Sequence, residues 1–138
     1  WPNDVLADGG KLAGILLENV HGALAVGIGV NLKHHPTDTI FPATSLAALG
    51  LTVPAADEAL TRLAGEFAKW YDIWRGGFGA IRAAWLMRAE GLGTRIRARL
   101  ATGERWGMFE GIDESGALIL GEGMGRTSVL PAAEIFFG

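Results

Sequence analysis

The first 31 residues contain four polar side chains that could act together on a charged ligand. Lys11 follows a glycine turn, Asn3 and Asp4 precede it, and Asn31 closes a later apolar run. A lysine ammonium in a pocket can stabilise negative charge that develops on a phosphoryl or acyl group. A carboxylate can bind a cation, and an amide can pair with the donor and the acceptor on the edge of a purine. Together these residues predict one ligand site built on paired strands.

Each residue also has a simpler structural explanation. Taken alone, Lys11 is better explained as an exposed hairpin lysine, and Asn3 and Asp4 as turn residues. A hydrogen bond from Asn31 to loop backbone explains that amide equally well. Taken individually, these residues therefore do not establish a ligand site.

Two glycines mark a strand face without side chains. Gly27 and Gly29 are two residues apart, so both fall on one face of a strand. A flat ligand could lie against such a face, and close packing by a helix is the competing explanation. The chain has neither a G-x-x-x-x-G-K-[ST] loop nor a G-x-G-x-x-G turn that opens a helix. The adjacent His34–His35 pair has no carboxylate or cysteine at ligand spacing and does not predict a metal site.

The composition is that of a globular protein, with 49% hydrophobic and 20% charged residues in a chain of 138. No apolar run reaches the ~18–20 residues of a membrane-spanning helix. Cysteine is absent, which fits a reducing cytoplasm. A net charge of −3 argues against a general nucleic-acid binder. We therefore expect a cytoplasmic protein that binds neither membrane nor nucleic acid.

The hydrophobic period predicts a strand-rich first part. Residues 5–7, 11–20 and 23–32 are predicted to form an antiparallel meander joined by tight turns. The two later strands are apolar on both faces, so covering helices are expected.

Helices are predicted in the middle of the chain and short strands at its end. A short helix is expected at 44–50, a longer one runs from an N-cap at Asp57 to 75, and a third spans 78–89. The apolar stripe of the longer helix is expected to face the core; it contains Leu60, Leu63, Ala64, Phe67, Tyr71 and Trp74. The later strands, at 95–100, 106–112, 117–120 and 134–137, predict a small β-barrel. Arg95, Arg97 and Arg99 lie on one face of the first, where a solvated face is favoured over a nucleic-acid patch.

The order of several motifs resembles the second half of a bacterial biotin protein ligase. They are Trp1-Pro2-Asn3-Asp4, Lys11-Leu12-Ala13-Gly14-Ile15-Leu16, Gly27-Ile28-Gly29-Val30-Asn31-Leu32 and Pro42-Ala43-Thr44-Ser45-Leu46. The end of the chain, with Gly111-Ile112-Asp113 and Gly116-Ala117-Leu118, is similar to the SH3-like C-terminal domain of that family. The resemblance covers essentially the whole chain. It implies an α+β fold, with part of a class II aminoacyl-tRNA-synthetase-like antiparallel sheet in residues 1–92 and an SH3-like β-barrel in 93–138.

The resemblance also implies a two-step reaction. Biotin is activated with ATP and Mg²⁺ to biotinyl-5′-AMP, and the biotinyl group is then transferred to a lysine of the biotin carboxyl carrier protein of acetyl-CoA carboxylase. Lys11 and Asp4 match catalytic positions, and Asp4 also matches a Mg²⁺ position. Biotin would contact Lys11, Gly14 and Gly27. The nucleotide would contact Asn3, Lys11, Asn31, Ala43 and Thr44.

The chain departs from the family pattern at its start. The family's arginine- and glycine-rich biotin loop and its first strands would lie upstream of Trp1, so we expect this chain to be part of a longer protein. The 138 residues alone are expected to bind biotin weakly and not to adenylate it. No winged helix is present to support a repressor role. A lipoate or octanoate transferase, and a non-catalytic module that binds a carrier protein, are the alternatives. The residues do not decide whether the protein forms a homodimer.

Overall fold

The computed structural model describes residues 2–131 and 134–137. The chain forms two compact units, Trp1–Leu63 and Ala64–Gly138. The predicted domain boundary between residues 92 and 93 stays a prediction. Trp1 of the first motif lies outside the described residues.

The first unit is built on a three-stranded antiparallel sheet. Strands β1 (Asp4–Ala7), β2 (Gly10–Val20) and β3 (Ala23–Val30) pair in the order β1-β2-β3. The turn at 8–9 has φ angles of 48° and 75°, and the turn at 21–22 has 50° and 84°. Two consecutive positive φ values are typical of the two-residue hairpin turn that matches the strand twist. The predicted meander is confirmed.

Apolar side chains of this sheet are exposed. Leu16 of β2 is 62% exposed and Leu24 of β3 is 64% exposed. An apolar pattern indicates a need for burial and does not identify the element that supplies it, so the prediction of covering helices stays a prediction.

Two helices lie in the middle of the chain. Helix α1 spans Ala56–Arg75 and helix α2 spans Gly79–Leu86. The prediction of Asp57 as N-cap is wrong, because the helix already begins at Ala56, and Ala59 N–H donates to Ala55 O at 2.9 Å. Asp57 lies instead in the first turn, where its negative charge interacts favourably with the positive end of the helix dipole.

Other predictions about the middle of the chain also fail. Helix α1 has no buried residue, and Leu60 and Trp74 are 66% and 53% exposed, so the predicted core-facing stripe is wrong. Some stripe residues contact each other along the helix, with Phe67 and Tyr71 ring centroids 6.3 Å apart. Residues 46–50 form turns rather than the predicted short helix.

The second unit contains a five-stranded antiparallel sheet. Its strands pair in the order β7-β6-β5-β4-β8. They are β4 (Arg95–Leu100), β5 (Gly103–Ile112), β6 (Leu118–Gly123), β7 (Arg126–Leu130) and β8 (Glu134–Phe137). Alternation in β4 is confirmed, since Ile96 and Ala98 are fully buried while Arg95 and Arg99 are exposed. Strand β7 was not predicted. The α+β fold with a small C-terminal β domain is confirmed.

Helix α2 packs on the central strand of this sheet. Trp85 meets Phe109 edge to face with ring centroids 6.2 Å apart, and Phe109 is 0% exposed. Arg82 Nε donates to Ile112 O at 2.7 Å. Aromatic burial and one polar anchor therefore fix the helix to β5.

Asp113 closes the turn between β5 and β6. Its Oδ1 accepts hydrogen bonds from the Ser115 hydroxyl at 2.7 Å, Ser115 N–H at 2.8 Å and Ala117 N–H at 2.9 Å. The Ser115 hydroxyl bond, followed by the bonds from backbone N–H groups, lowers the pKa of Asp113 because these donors stabilise the ionised form.

We expect this turn to weaken in acid. Because the pKa of Asp113 is lower in the folded chain than its ordinary value of about 3.9, its stabilisation is present above about pH 4 and is lost as the pH falls through the lowered value. An NMR titration of the Ser115 amide proton should have its midpoint below that of Asp113 in the urea-unfolded chain. Asp113→Asn should abolish the titration. A native midpoint equal to or above the unfolded one would contradict the expectation.

Candidate functional site

The main chain of Lys11 is fixed by hydrogen bonds from two other segments. Lys11 N–H donates to Pro42 O at 2.9 Å, and Thr44 N–H donates to Lys11 O at 3.0 Å. These bonds form a parallel bridge between Lys11 and Ala43. The Asn31 amide donates to the same Lys11 carbonyl at 3.1 Å. The loop that follows β3 is thereby attached to the first residues of β2.

A β-bulge sets the direction of the Lys11 side chain. Val5 pairs with Ala13 and Leu6 pairs with Lys11, so Leu12 is an extra residue in β2. In a regular strand, residues three apart point to opposite faces. The extra residue shifts this alternation, so Lys11 shares a face with Gly14 and Asp4, which are themselves cross-strand partners.

The Lys11 side chain lies over Gly14 and reaches Asp4. A Cβ atom added to Gly14 would lie 3.1 Å from Lys11 Cε and 3.2 Å from Nζ. The ammonium forms an ion pair with Asp4 Oδ1. Because the Lys11 and Asp4 side chains are 46% and 36% exposed, this pair contributes only about 0–1 kcal/mol to stability. Its main consequence is to hold the cation at one point above the sheet.

The charge at this point favours an ionised Asp4. Partial burial alone would raise the pKa of this carboxyl, but hydrogen bonds and the charge of neighbouring cations, Lys11 among them, outweigh it. The pKa of Asp4 therefore lies below its ordinary value.

Asn31 donates both of its amide protons to backbone carbonyls. Nδ2 lies 3.1 Å from Lys11 O and 2.9 Å from Thr44 O. The backbone N–H of Asn31 also donates to Leu12 O at 2.9 Å. The loop-backbone explanation of Asn31 is thus correct for its donors. Its Oδ1 remains available as an acceptor.

The glycine face of β3 is open. Gly29 pairs with Gly14, and Gly27 pairs with Leu16 on the same face. A Cβ added at Gly29 would meet nothing within 4 Å, and one at Gly27 would meet only Leu16, at 3.8 Å. Close packing by a helix therefore does not explain these glycines within the described part of the chain.

The structure brings most of the predicted site residues together. Lys11 is directly connected to Asp4, Gly14, Asn31, Ala43 and Thr44. Asn3 joins them through its backbone, because Ile15 N–H donates to Asn3 O at 2.8 Å. Gly27 lies apart from this cluster, two residues before Gly29 on β3.

Ser45 and His35 were not among the predicted site residues. Ser45 is 1% exposed; its hydroxyl donates to Lys33 O at 3.3 Å and accepts from Ala48 N–H at 3.2 Å. His35 Nδ1 lies 3.2 Å from the same oxygen. His35 also lines a cavity of about 330 Å³ formed with Pro36, Thr37, Thr39, Ile40, Pro42 and Ala43. A buried hydroxyl leaves no periodic signal in the sequence. The available signal was that Ser45 directly follows Ala43 and Thr44, which were predicted to contact the nucleotide.

Comparison with known proteins places this geometry in a family. Residues 91–138 match the family model described as biotin protein ligase C terminal domain. The biotin--[acetyl-CoA-carboxylase] ligase of Paracoccus denitrificans is 50% identical over 100% of this chain and 62% of its own length. This chain is therefore similar to a biotin protein ligase over its whole length. The resemblance predicted from the motifs is confirmed.

Two further biotin protein ligases are similar to this chain. The biotin--[acetyl-CoA-carboxylase] ligase of Mycobacterium tuberculosis is 38% identical over 98% of this chain and 51% of its own length. The biotin protein ligase of Aquifex aeolicus, solved in complex with biotin and ATP, has a TM-score of 0.88. It is 21% identical and covers 100% of this chain and 61% of its own, which supports the shared fold. The chain thus spans between about half and two thirds of the length of these ligases.

The arginines of β4 are paired with neighbours on the same sheet. Arg97 lies 3.3 Å from Glu104, and Arg99 lies 3.4 Å from Glu104 and 3.5 Å from Glu134. The Arg95 guanidinium lies 5.6 Å from the centroid of the Trp106 ring. Such pairing favours a solvated face, as the sequence indicated. None of the described helices is both long and apolar enough to cross a membrane.

Proposed function

We propose that this chain supplies the nucleotide-facing part of a biotin protein ligase site. In the first step, a biotin carboxylate oxygen attacks the α-phosphorus of ATP, the bond to the β-phosphate breaks, and pyrophosphate leaves. In the second, the ε-amine of a lysine on the biotin carboxyl carrier protein of acetyl-CoA carboxylase attacks the acyl carbon. An amide forms, the amine loses a proton, and AMP leaves. Cytoplasmic localisation is part of the same proposal.

The observation that carries the proposal is the fixed position of the Lys11 ammonium. Two backbone hydrogen bonds and one from the Asn31 side-chain amide hold its main chain, and its side chain lies over the open face of Gly14. Negative charge grows on the biotin carboxylate and α-phosphate oxygens as the anhydride bond forms. A preorganised cation stabilises that charge without further reorganisation.

Asn31 fits an adenine contact through its acceptor. Because both amide protons donate to Lys11 O and Thr44 O, the side chain presents Oδ1 as an acceptor. The exocyclic amine of adenine is a donor, whereas guanine has an oxygen at the same position. The chain should therefore prefer ATP to GTP. Ala43, Thr44 and Asn3 would complete the nucleotide contacts, and Gly14 and Gly27 would flank biotin.

The Mg²⁺ role of Asp4 is limited to one carboxylate. No group of three acidic, histidine or cysteine side chains that could hold a metal occurs in the described residues. Mg²⁺ in nucleotide sites often takes one or two carboxylates and completes its shell with phosphate oxygens and water. Asp4 fits such a site as a single ligand. The ion would supply charge neutralisation at the phosphates.

The proposal is tested by biotin-dependent exchange of labelled pyrophosphate into ATP, followed by transfer of biotin to a carrier domain. We expect the protein encoded by the complete reading frame to catalyse both steps with biotin, but not with lipoate or octanoate. The 138 residues alone should bind biotin weakly and form no biotinyl-AMP. Absence of exchange in the complete protein, or exchange with lipoate in place of biotin, would overturn the proposed function. Robust biotinyl-AMP formation by the 138 residues would overturn the expectation for this chain.

A further inference from the structure

We propose that the Leu12 bulge and Gly14 form a positioning device for Lys11. The bulge turns the lysine towards the Asp4 face, Asn31 holds the bulge in place, and Gly14 leaves the volume that the side chain occupies. This proposal assigns Gly14 a role towards Lys11 in addition to the proposed contact with biotin. The positioning role rests on the proposed function only in the kinetic experiment below, because the NMR experiments need no substrate.

The register carries the first step of the argument. Lys11 and Gly14 are three residues apart and would point to opposite faces of a regular strand. Leu6 pairs with Lys11 while Asp4 pairs with Gly14, and Leu6 and Asp4 share a face of β1. Lys11 and Gly14 therefore share a face only because Leu12 is inserted between the paired positions. A residue added to β1 opposite Leu12 would make the pairing regular and, because Lys11 and Gly14 would still be three residues apart, direct Lys11 to the opposite face.

The hydrogen bonds around the bulge carry the second step. Asn31 contacts both carbonyls that flank the irregularity, donating from Nδ2 to Lys11 O at 3.1 Å and from its backbone N–H to Leu12 O at 2.9 Å. Lys11 O also accepts from Thr44 N–H at 3.0 Å, whereas the inserted residue of a bulge is left out of the strand pairing. Asn31 therefore fixes the backbone from which the Lys11 side chain extends.

The free volume above Gly14 carries the third step. A methyl group at this position would lie 3.1 Å from Lys11 Cε and 3.2 Å from Nζ, closer than ordinary van der Waals contact. Lys11 Cε and Nζ would have to shift by a few tenths of an ångström, which changes the geometry of the ion pair with Asp4. Gly29, the direct cross-strand partner of Gly14, provides the matched comparison, because a methyl group there would meet nothing within 4 Å.

The first experiment observes Lys11 without any substrate. The chain has three lysines, so reductive methylation with ¹³C-formaldehyde gives a simple NMR spectrum, in which the Lys11 resonance is the one removed by Lys11→Arg. We expect Gly14→Ala to shift the Lys11 resonance and Gly29→Ala to leave it in place. Neither variant should shift the resonances of Lys33 and Lys69. If Gly14→Ala leaves the Lys11 resonance unchanged, the positioning role is wrong and Gly14 serves only the ligand.

The second experiment separates positioning from ligand contact in the complete protein. A displaced Lys11 weakens stabilisation of the transition state, so Gly14→Ala should lower kcat about tenfold and change KM for biotin less than threefold. Gly65→Ala, on helix α1 with nothing within 4 Å of the added methyl group, is the control for activity. A rise in KM for biotin at unchanged kcat would overturn the positioning role. If Gly14→Ala shifts the Lys11 resonance but the complete protein, without methylated lysines, shows no pyrophosphate exchange, the proposed function is wrong and the positioning role stands.

An insertion opposite Leu12 tests the bulge itself. In the parent chain, Asp4→Asn should shift the Lys11 resonance, because it removes the charge of its partner. One alanine inserted between Val5 and Leu6 would pair with Leu12 and make the strand pairing regular, so Lys11 should point away from Asp4 and the Asp4→Asn shift should disappear. Persistence of that shift in a folded insertion variant would contradict the role of the bulge. If the insertion prevents folding, Gly14→Ala still decides the proposal.

Discussion

Replacement of Lys11 by alanine is expected to lower the rate of biotin adenylation about 100- to 1,000-fold in the complete protein, the range found when one preorganised transition-state donor is removed. The lysine is half exposed and its ion pair with Asp4 contributes little to stability, so the variant should fold. The loss should therefore appear in kcat rather than in the amount of folded protein. Biotin-dependent pyrophosphate exchange measures it, and circular dichroism checks the fold.

Lys69 provides the matched control for Lys11. It lies on helix α1, is 69% exposed and pairs with Glu66, at 2.5 Å. Lys69→Ala should leave adenylation within a factor of two of the parent, because an exposed pair at helical spacing contributes only ~0.3–0.5 kcal/mol. Unchanged adenylation in Lys11→Ala would remove the central residue of the proposed mechanism. Absence of adenylation in the parent protein itself would favour the alternative of a non-catalytic module that binds a carrier protein.

Replacement of Phe109 by alanine is expected to lower the free energy of unfolding of the second unit by about 3–5 kcal/mol, the usual result of removing a buried phenylalanine ring. Phe109 is 0% exposed and is the largest fully buried side chain of the described residues. Its loss would leave a cavity against Trp85 and remove the edge-to-face contact between β5 and helix α2. Since single domains are stable by only ~5–15 kcal/mol, this loss is a large share of the free energy of unfolding of the second unit.

Urea denaturation followed by far-UV circular dichroism measures the effect of Phe109→Ala. Met108 precedes Phe109 on β5, points to the other face and is 42% exposed, so Met108→Ala is the control. We expect it to change the free energy of unfolding by less than about 1 kcal/mol. Equal losses in the two variants would show that Phe109 is not central to the core.

The strand patterns were predictable wherever local chemistry determined them. The turn residues Asp8-Gly9 and His21-Gly22 favour positive φ, and the alternation of β4 separates buried Ile96 from exposed Arg95. Strand β7 lacks such a signal, because Arg126-Thr127-Ser128-Val129-Leu130 is mostly polar and follows a glycine-rich turn. Its pairing with β6 is provided by the hairpin rather than by its own pattern.

The candidate site was predictable in its residue types but not in its geometry. The motifs identified Lys11, Gly14 and Asn31, yet regular alternation would place Lys11 and Gly14 on opposite faces. The bulge at Leu12 depends on pairing with β1 and on hydrogen bonds to Asn31, which are tertiary contacts with no local signature. For the same reason the sequence could not determine which atoms of the Asn31 amide remain available to a ligand.

The pairing of β4 with β8 has a consequence for how the second unit folds. The other strand pairs of both sheets join sequence neighbours through short connections, whereas β8 reaches β4 across most of the β domain, as in the bond between Arg99 and Glu134, 35 residues apart. Chain entropy makes distant pairing slower than the closure of a hairpin. The four strands β4 to β7 can therefore form as successive hairpins, and β8 completes the sheet last. The final strand is thus also the first to separate when the domain opens.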